Sequence, residues 1–280
     1  MSEMNHNSKS KLHGIWALTN RELKKWYKEP VIFLLSIIQP IIWMGLLGKS
    51  MNIGALIPDI PGVDPGAIMQ QTFGTSDYFS FMAVGVVGMT ALFTTMFSGM
   101  SVVWDRRLGF LNKALSTPVS RAVIIFSKVL SAALRSMFQA GIIIIIAVAF
   151  GLQFGANFNT LNILGVFAIM FLLCVGLSSL FIAVSIRSTR METPMAVMNL
   201  INLPMMFASN AFYPAKLMPD WLQTVVNVNP LSYTNDAIRQ LLIVNTIDYT
   251  QLTLDFTYIG IFAVIVATIG IILSWRFLSK

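Results

Sequence analysis

Residues 136–186, fifty-one in succession, contain no Asp, Glu, Lys, Arg or His. A helix needs about 20 apolar residues to cross the hydrocarbon core of a bilayer, so this run is too long for one span and too apolar for a water-facing surface. Gly151, Gly155 and the polar residues Asn157, Asn159 and Thr160 break it. Two spans are therefore expected, near 129–150 and 162–185. Composition agrees: 56% of residues are hydrophobic and 11% charged, where soluble chains hold about 45–50% and about 25%. A soluble enzyme, a transcription factor and a disordered tail are excluded.

Four more stretches qualify: 31–48, bounded by Glu29 and Lys49; 79–104, with Tyr78 and Trp104 as interfacial anchors; 194–213; and 256–275, bounded by Asp255 and Arg276. The expected fold is an all-α integral membrane protein with six transmembrane helices. An even number puts both termini on one side. Sixteen of the 19 Lys and Arg residues fall on that side, leaving Lys49, Lys216 and Arg239 on the other with seven of the 12 acidic residues. The net is +11 against −4, and the positive-inside rule makes both termini cytoplasmic, in a cell membrane. The overall charge of +7 thus belongs to orientation and not to nucleic acid. Lys128 and Arg135, in the first turns of the third span, are expected to snorkel to the interface. No cleavable signal peptide is expected from the polar start.

Chemistry-bearing groups are sparse. Ion-coupled carriers keep ionisable side chains at membrane depth, and no mid-span position here holds one. Both histidines, His6 and His13, lie in the N-terminal segment. A single cysteine, Cys174, excludes disulfides and thiolate zinc sites. No metalloprotease or serine-nucleophile pattern occurs, so catalytic, cofactor and metal residues are expected to be none. Gly48-Lys49-Ser50 imitates the end of a phosphate-binding loop, but Trp43 stands where that loop needs glycine.

Three segments could do work. Residues 12–29 place Trp16, Leu23 and Trp26 on one helical face, with Arg21 and Lys24 elsewhere, which suits an interfacial helix that Pro30 ends. A plain topogenic anchor is the alternative. Residues 105–121 begin Asp105-Arg106-Arg107 and repeat Leu108, Leu111 and Leu115 at i, i+3, i+7 before Thr117-Pro118. A loop has no need of an apolar edge; a helix docking in a partner's groove does. Met82, Met89, Phe93 and Met96 in the second span, and Met198, Asn199, Asn202 and Met206 in the fifth, form adaptable faces. They line either a substrate path or a helix–helix contact. Residues 214–240 are too polar to cross and too apolar for a free loop, and read as short external helices re-entering the outer leaflet.

The run Trp104-Asp-Arg-Arg-Leu-Gly-Phe-Leu with Leu115-Ser-Thr-Pro-Val-Ser-Arg121, the Phe212-Tyr213-Pro214 turn and Asn229-Pro230-Leu231-Ser232-Tyr233 resemble the permease subunits of type-2 ATP-binding cassette exporters, most closely the daunorubicin-resistance branch. The likeness covers nearly the whole chain, 1–280, as one transmembrane domain. It implies a permease pair, each copy binding a separate ATPase subunit that carries ATP and Mg, with no ATPase site in this chain. It also implies that 105–117 is a coupling helix, that 12–29 is a connecting helix, and that the second and fifth spans line the path at the dimer axis. Many members carry glutamate at or near Asp105. The loop 49–77 receives no family role. The path's lack of charge favours a hydrophobic or amphiphilic cargo, with a lipid-linked glycan exporter or a non-transporting scaffold or channel as alternatives.

Overall fold

A computed structural model describes residues 2–51, 65–117 and 119–278. Pro118 and residues 52–64 of the first loop lie outside the described residues. Every regular element described is helical: α1 Ser2–Lys28, α2 Pro30–Trp43, α3 Pro65–Phe73, α4 Tyr78–Arg107, α5 Phe110–Leu115, α6 Arg121–Ala149, α7 Asn162–Ser185, α8 Glu192–Phe207, α9 Asp220–Val226, α10 Pro230–Leu242 and α11 Tyr249–Leu278.

The bundle is organised around α4. Asp77 caps it, its carboxylate accepting from the backbone N–H groups of Phe79 and Ser80 at 3.2 and 3.0 Å. From Tyr78 to Leu92 every residue is buried. Small side chains allow this, because helices in lipid gain most from close backbone approach. A Cβ on Gly85 would collide with the carbonyl of Ala211, and one on Gly88 with the side-chain oxygen of Asn235. Gly99 makes room for Phe181 of α7 and Met198 of α8. Helices α6, α7, α8 and α10 pack around α4, and α11 packs on α7, where Gly176 and Gly270 admit Phe262 and the Ser179 backbone.

Among the described residues, four stretches are long and apolar enough to cross a membrane: Gly66–Arg107, Arg121–Ala149, Asn162–Ser185 and Tyr249–Phe277. Helices α1 and α2 meet at a 68° bend and add a fifth if the pair counts as one span. The six-span expectation is thus met in part. The shortfall is α8, whose 16 residues cover about 24 Å at 1.5 Å per residue, less than the ~30 Å hydrocarbon thickness. The sequence suggests a span over 194–213, but the helix stops at Phe207. Pro204 removes a backbone donor there, and the side-chain amide of Asn229 takes the carbonyls of Met205 and Ala208 at 2.7 and 2.6 Å. Helix α6 starts at Arg121, eight residues before the expected edge, with Ser120 as its cap. Pro40 and a π-turn at Met44–Lys49 distort α2 toward its end.

Candidate functional site: a buried ion cluster under a short helix

At the end of the bundle where α4 connects to α6, helices α1, α4, α5 and α6 converge on Asp105. Its side chain is 1% exposed and accepts from three cations: Lys128 Nζ at 2.6 Å, Lys25 Nζ at 3.0 Å and Arg21 Nη2 at 3.3 Å. Lys128 also donates to Glu22 at 3.3 Å and to Ser101 Oγ at 3.1 Å. Arg21 closes the cluster with a 2.7 Å pair to Glu22. Spacing explains the convergence, since Arg21 and Lys25 lie one turn apart on α1, as Ser101 and Asp105 do on α4. Charges leave water at a cost of several kcal/mol each unless paired and hydrogen-bonded. Three cations and two carboxylates therefore bind α1, α4 and α6 into one unit.

This corrects the snorkelling expectation. Lys128 and Arg135 are buried and turn inward, Lys128 to the carboxylates of Asp105 on α4 and Glu22 on α1. Arg135 is held by the Ser131 carbonyl at 3.2 Å and Ser98 Oγ at 3.4 Å. Sequence reading missed Glu22. The available signal was two cations inside α6 with no carboxylate on that helix to meet them.

The α5 edge is also revised. Leu111 and Ala114 are buried against Val102, Ile124, Ile125, Val129 and Ile182, whereas Leu108 is 73% exposed. Gly109, with φ of +72°, separates them: Leu108 closes α4, and α5 starts afresh one residue later. The leucines at 108, 111 and 115 therefore do not share one helical edge. Leu111 anchors α5 inward with Leu115 half-buried beside it, while Arg107, Leu108, Asn112, Lys113 and Thr117 face outward and Arg106 is half-buried. Phe110 lies under the Arg21 guanidinium, 3.1 Å from its ring centroid, so α5 is tied directly to α1.

On α1, Trp16 is exposed and Lys24 is exposed, while Leu23 and Trp26 are half-buried. Trp26 packs edge-on against Phe33 and Phe138. The face turned to α6 is polar, with Thr19 and Glu22 buried and Thr19 and Ser127 exchanging hydrogen bonds with backbone carbonyls across the contact. Trp16 thus looks out, Trp26 packs onto α2 and α6, and the polar face turns in.

Met82, Met89 and Met96 of α4 are buried and Phe93 is half-buried; Met198, Asn202 and Met206 of α8 are buried too. The two groups meet, with the Asn202 amide donating to the Met96 sulfur at 3.1 Å. Within one chain this is a packing face. Asn199 points outward and is exposed. Among the described residues, the buried carbonyl oxygen of Asn202 has no partner. Asn202→Leu, which removes that orphan and a weak N–H···S contact, should leave the melting temperature unchanged or raise stability by about 1 kcal/mol. A clear drop in thermal unfolding would show that the amide has an unseen partner.

A second polar cluster, toward the other end of α4, was read in sequence only as a charge to be counted. Arg239 of α10 is buried and donates through Nη2 to the carbonyls of Asn210 at 2.6 Å, Ala211 at 3.3 Å and Phe81 at 3.4 Å. Its guanidinium also lies over the Phe81 ring at 3.6 Å. It latches the irregular chain after α8 onto α4.

These features define an all-helical, multi-span membrane protein with a buried ionic joint between its N-terminal helix and a short surface helix. No cluster able to hold a metal ion occurs among the described residues. Residues 13–243 match the ABC-2 type transporter family, and the chain belongs to that family of permeases. It is 32% identical over 232 residues to a putative transport permease, ycf38, of Porphyra purpurea, covering 82% of this chain and 74% of that one. The ycf38 permease of Pyropia yezoensis is 30% identical over 251 residues, 89% and 78% of the two chains. The daunorubicin resistance ABC transporter permease protein DrrB1 of Streptomyces coeruleorubidus is 23% identical over 168 residues, 60% and 59%.

Proposed function

We propose that this chain is the membrane half of an ATP-driven exporter that moves a hydrophobic or amphiphilic compound out of the cell. A separate ATPase subunit would carry the nucleotide and Mg. The observation that carries the reading is the build of the α4–α5 corner: the inner side of α5 is anchored by Leu111 and Ala114, its outer side presents Asn112 and Lys113 beside the exposed Leu108 that closes α4, and its base rests on the Asp105 cluster. A push on such a helix passes into α4 and α1 together, because buried ion pairs do not slip without leaving a charge unpaired. In this reading α1 lies in the inner interface, α8 with the irregular 208–213 completes a sixth crossing, 214–240 dips into the outer leaflet, and both termini are cytoplasmic. Drug-resistance names among the relatives support an apolar cargo.

A pair of identical copies is part of the proposal. Asn199 is exposed on α8 between Met195 and Leu203, and an amide facing lipid is costly unless it finds a partner. A second α8 across a two-fold axis would supply one.

The test uses the complex purified with its ATPase and reconstituted in vesicles. Leu108→Asp should leave the permease folded, since the side chain is mostly in solvent, yet lower substrate-stimulated ATP hydrolysis and transport by about tenfold or more, as expected when a docking anchor becomes a charge. Unchanged hydrolysis and transport would remove the α4–α5 corner from the coupling role.

A further inference from the structure

Near the C-terminal end of α1 lies a cleft of about 450 Å³ lined by Arg21, Lys24, Lys25, Lys28 and Glu29, among others. Its charge is only partly spent internally. Arg21 and Lys25 reach Asp105, whereas Lys24 and Lys28, both exposed, have no hydrogen-bond or ion-pair partner among the described residues. Counting the cleft and the cluster behind it, five cations (Arg21, Lys24, Lys25, Lys28, Lys128) face three carboxylates (Glu22, Glu29, Asp105), an excess of two positive charges. The carbonyls ending α1 contribute about half a negative charge, too little to offset that excess.

We infer that this cleft binds the headgroup of an anionic phospholipid, with Lys24 and Lys28 holding the phosphate. The inference rests on the membrane-embedded reading above. A free anion would need the same charge but nothing more, and the surroundings offer more. Directly beyond the 68° bend, α2 presents Val31, Leu34, Leu35 and Ile38, all exposed, an apolar track for an acyl chain that starts where the lysines end. The spacing of Arg21, Lys24, Lys25 and Lys28 puts the four cations on adjoining turns of one helical side. Because Arg21 and Lys25 line the cleft and also bridge to Asp105, a bound phosphate competes for them. The lipid surface is thereby linked to the joint beneath α5.

Native mass spectrometry of the full-length chain in detergent tests this with dioleoyl-phosphatidylglycerol and dioleoyl-phosphatidylcholine as probes. The native chain should retain phosphatidylglycerol in preference to phosphatidylcholine. Lys24→Gln with Lys28→Gln should weaken phosphatidylglycerol binding by about tenfold or more, at roughly a factor of five per juxtamembrane lysine, and leave phosphatidylcholine unaffected. Lys24→Arg with Lys28→Arg should restore it, and Lys113→Gln, on α5, should not change it. Equal retention by native and double-glutamine chains would overturn the assignment, as would displacement of phosphatidylglycerol by millimolar inorganic phosphate. The ATPase is absent from this measurement, so a failed transport assay leaves its outcome standing. A chain that retains neither lipid would count against the embedded reading itself.

Discussion

Asp105→Asn is expected to destabilise the purified protein by about 3–5 kcal/mol, the usual result of removing one partner from a buried ion pair. The asparagine fits the same space, so the loss reads charge and not volume. Lys128 is the group that suffers. Its side chain is 6% exposed, and without Asp105 its one remaining carboxylate is Glu22 at 3.3 Å, which already serves Arg21 at 2.7 Å, with Ser101 Oγ at 3.1 Å as a neutral acceptor. Arg21 and Lys25 are 30% and 37% exposed and can return to water, so their share is small. Two further variants separate these effects. Lys128→Met alone strands Asp105 less severely, because two other cations remain. Asp105→Asn with Lys128→Met removes both members of the tightest pair and should recover most of the loss, an apolar side chain being tolerated where a lone charge is not. Thermal unfolding in detergent gives the cycle. Strict additivity of the two single losses would mean that the pair is not coupled in the fold.

Four of the spans were legible because their cause is local. Lipid demands about 20 residues without charge, and the interval from Asn162 to Ser185 announces itself in hydropathy and in the polar break before it. Helix ends were legible where a capping side chain or proline fixes them, as at Pro30. What failed was every feature set by a distant residue. Nothing near Pro204 says that Asn229, twenty-five positions on, will take over the carbonyls of Met205 and Ala208, so 208–213 read as helix. The leucine repeat of 108, 111 and 115 was real as a period, but Gly109 at φ +72° resets the helix phase and sends Leu108 out and Leu111 in. A glycine between two charged or apolar runs is a reason to restart the helical wheel. The Asp105 cluster was half visible: Asp105, Arg21 and Lys128 were each noted, but their meeting depends on how α1 crosses α6, which no periodicity encodes. Met82, Met89 and Met96 of α4 pack in one core with Met198 and Met206 of α8, where Asn202 meets Met96, while Asn199 turns away from that contact.

Arg239→Met should cost about 3 kcal/mol or more, with the damage confined to the end of the molecule opposite Asp105. One guanidinium nitrogen serves three carbonyls, those of Asn210, Ala211 and Phe81. The Asn210 and Ala211 carbonyls belong to a stretch that has left helical geometry and has few other donors. Each buried carbonyl left bare costs about 1–3 kcal/mol. Asp236 suffers less, because its side chain is 44% exposed and Asn210 still donates to it at 2.7 Å. Arg239→Lys should recover less than half of the loss, because an ammonium cannot lie flat on the Phe81 ring, 3.6 Å away, while also reaching the same three oxygens. Hydrogen exchange adds a test of place: amides of 207–214 should exchange faster in Arg239→Met, and those of α1 and α5 should not. Phe81 and Asp105 are 24 residues apart on α4, about 36 Å along its axis, so the losses from Arg239→Met and Asp105→Asn should add. A marked departure from additivity would mean that α4 carries strain from the ionic joint to the latch.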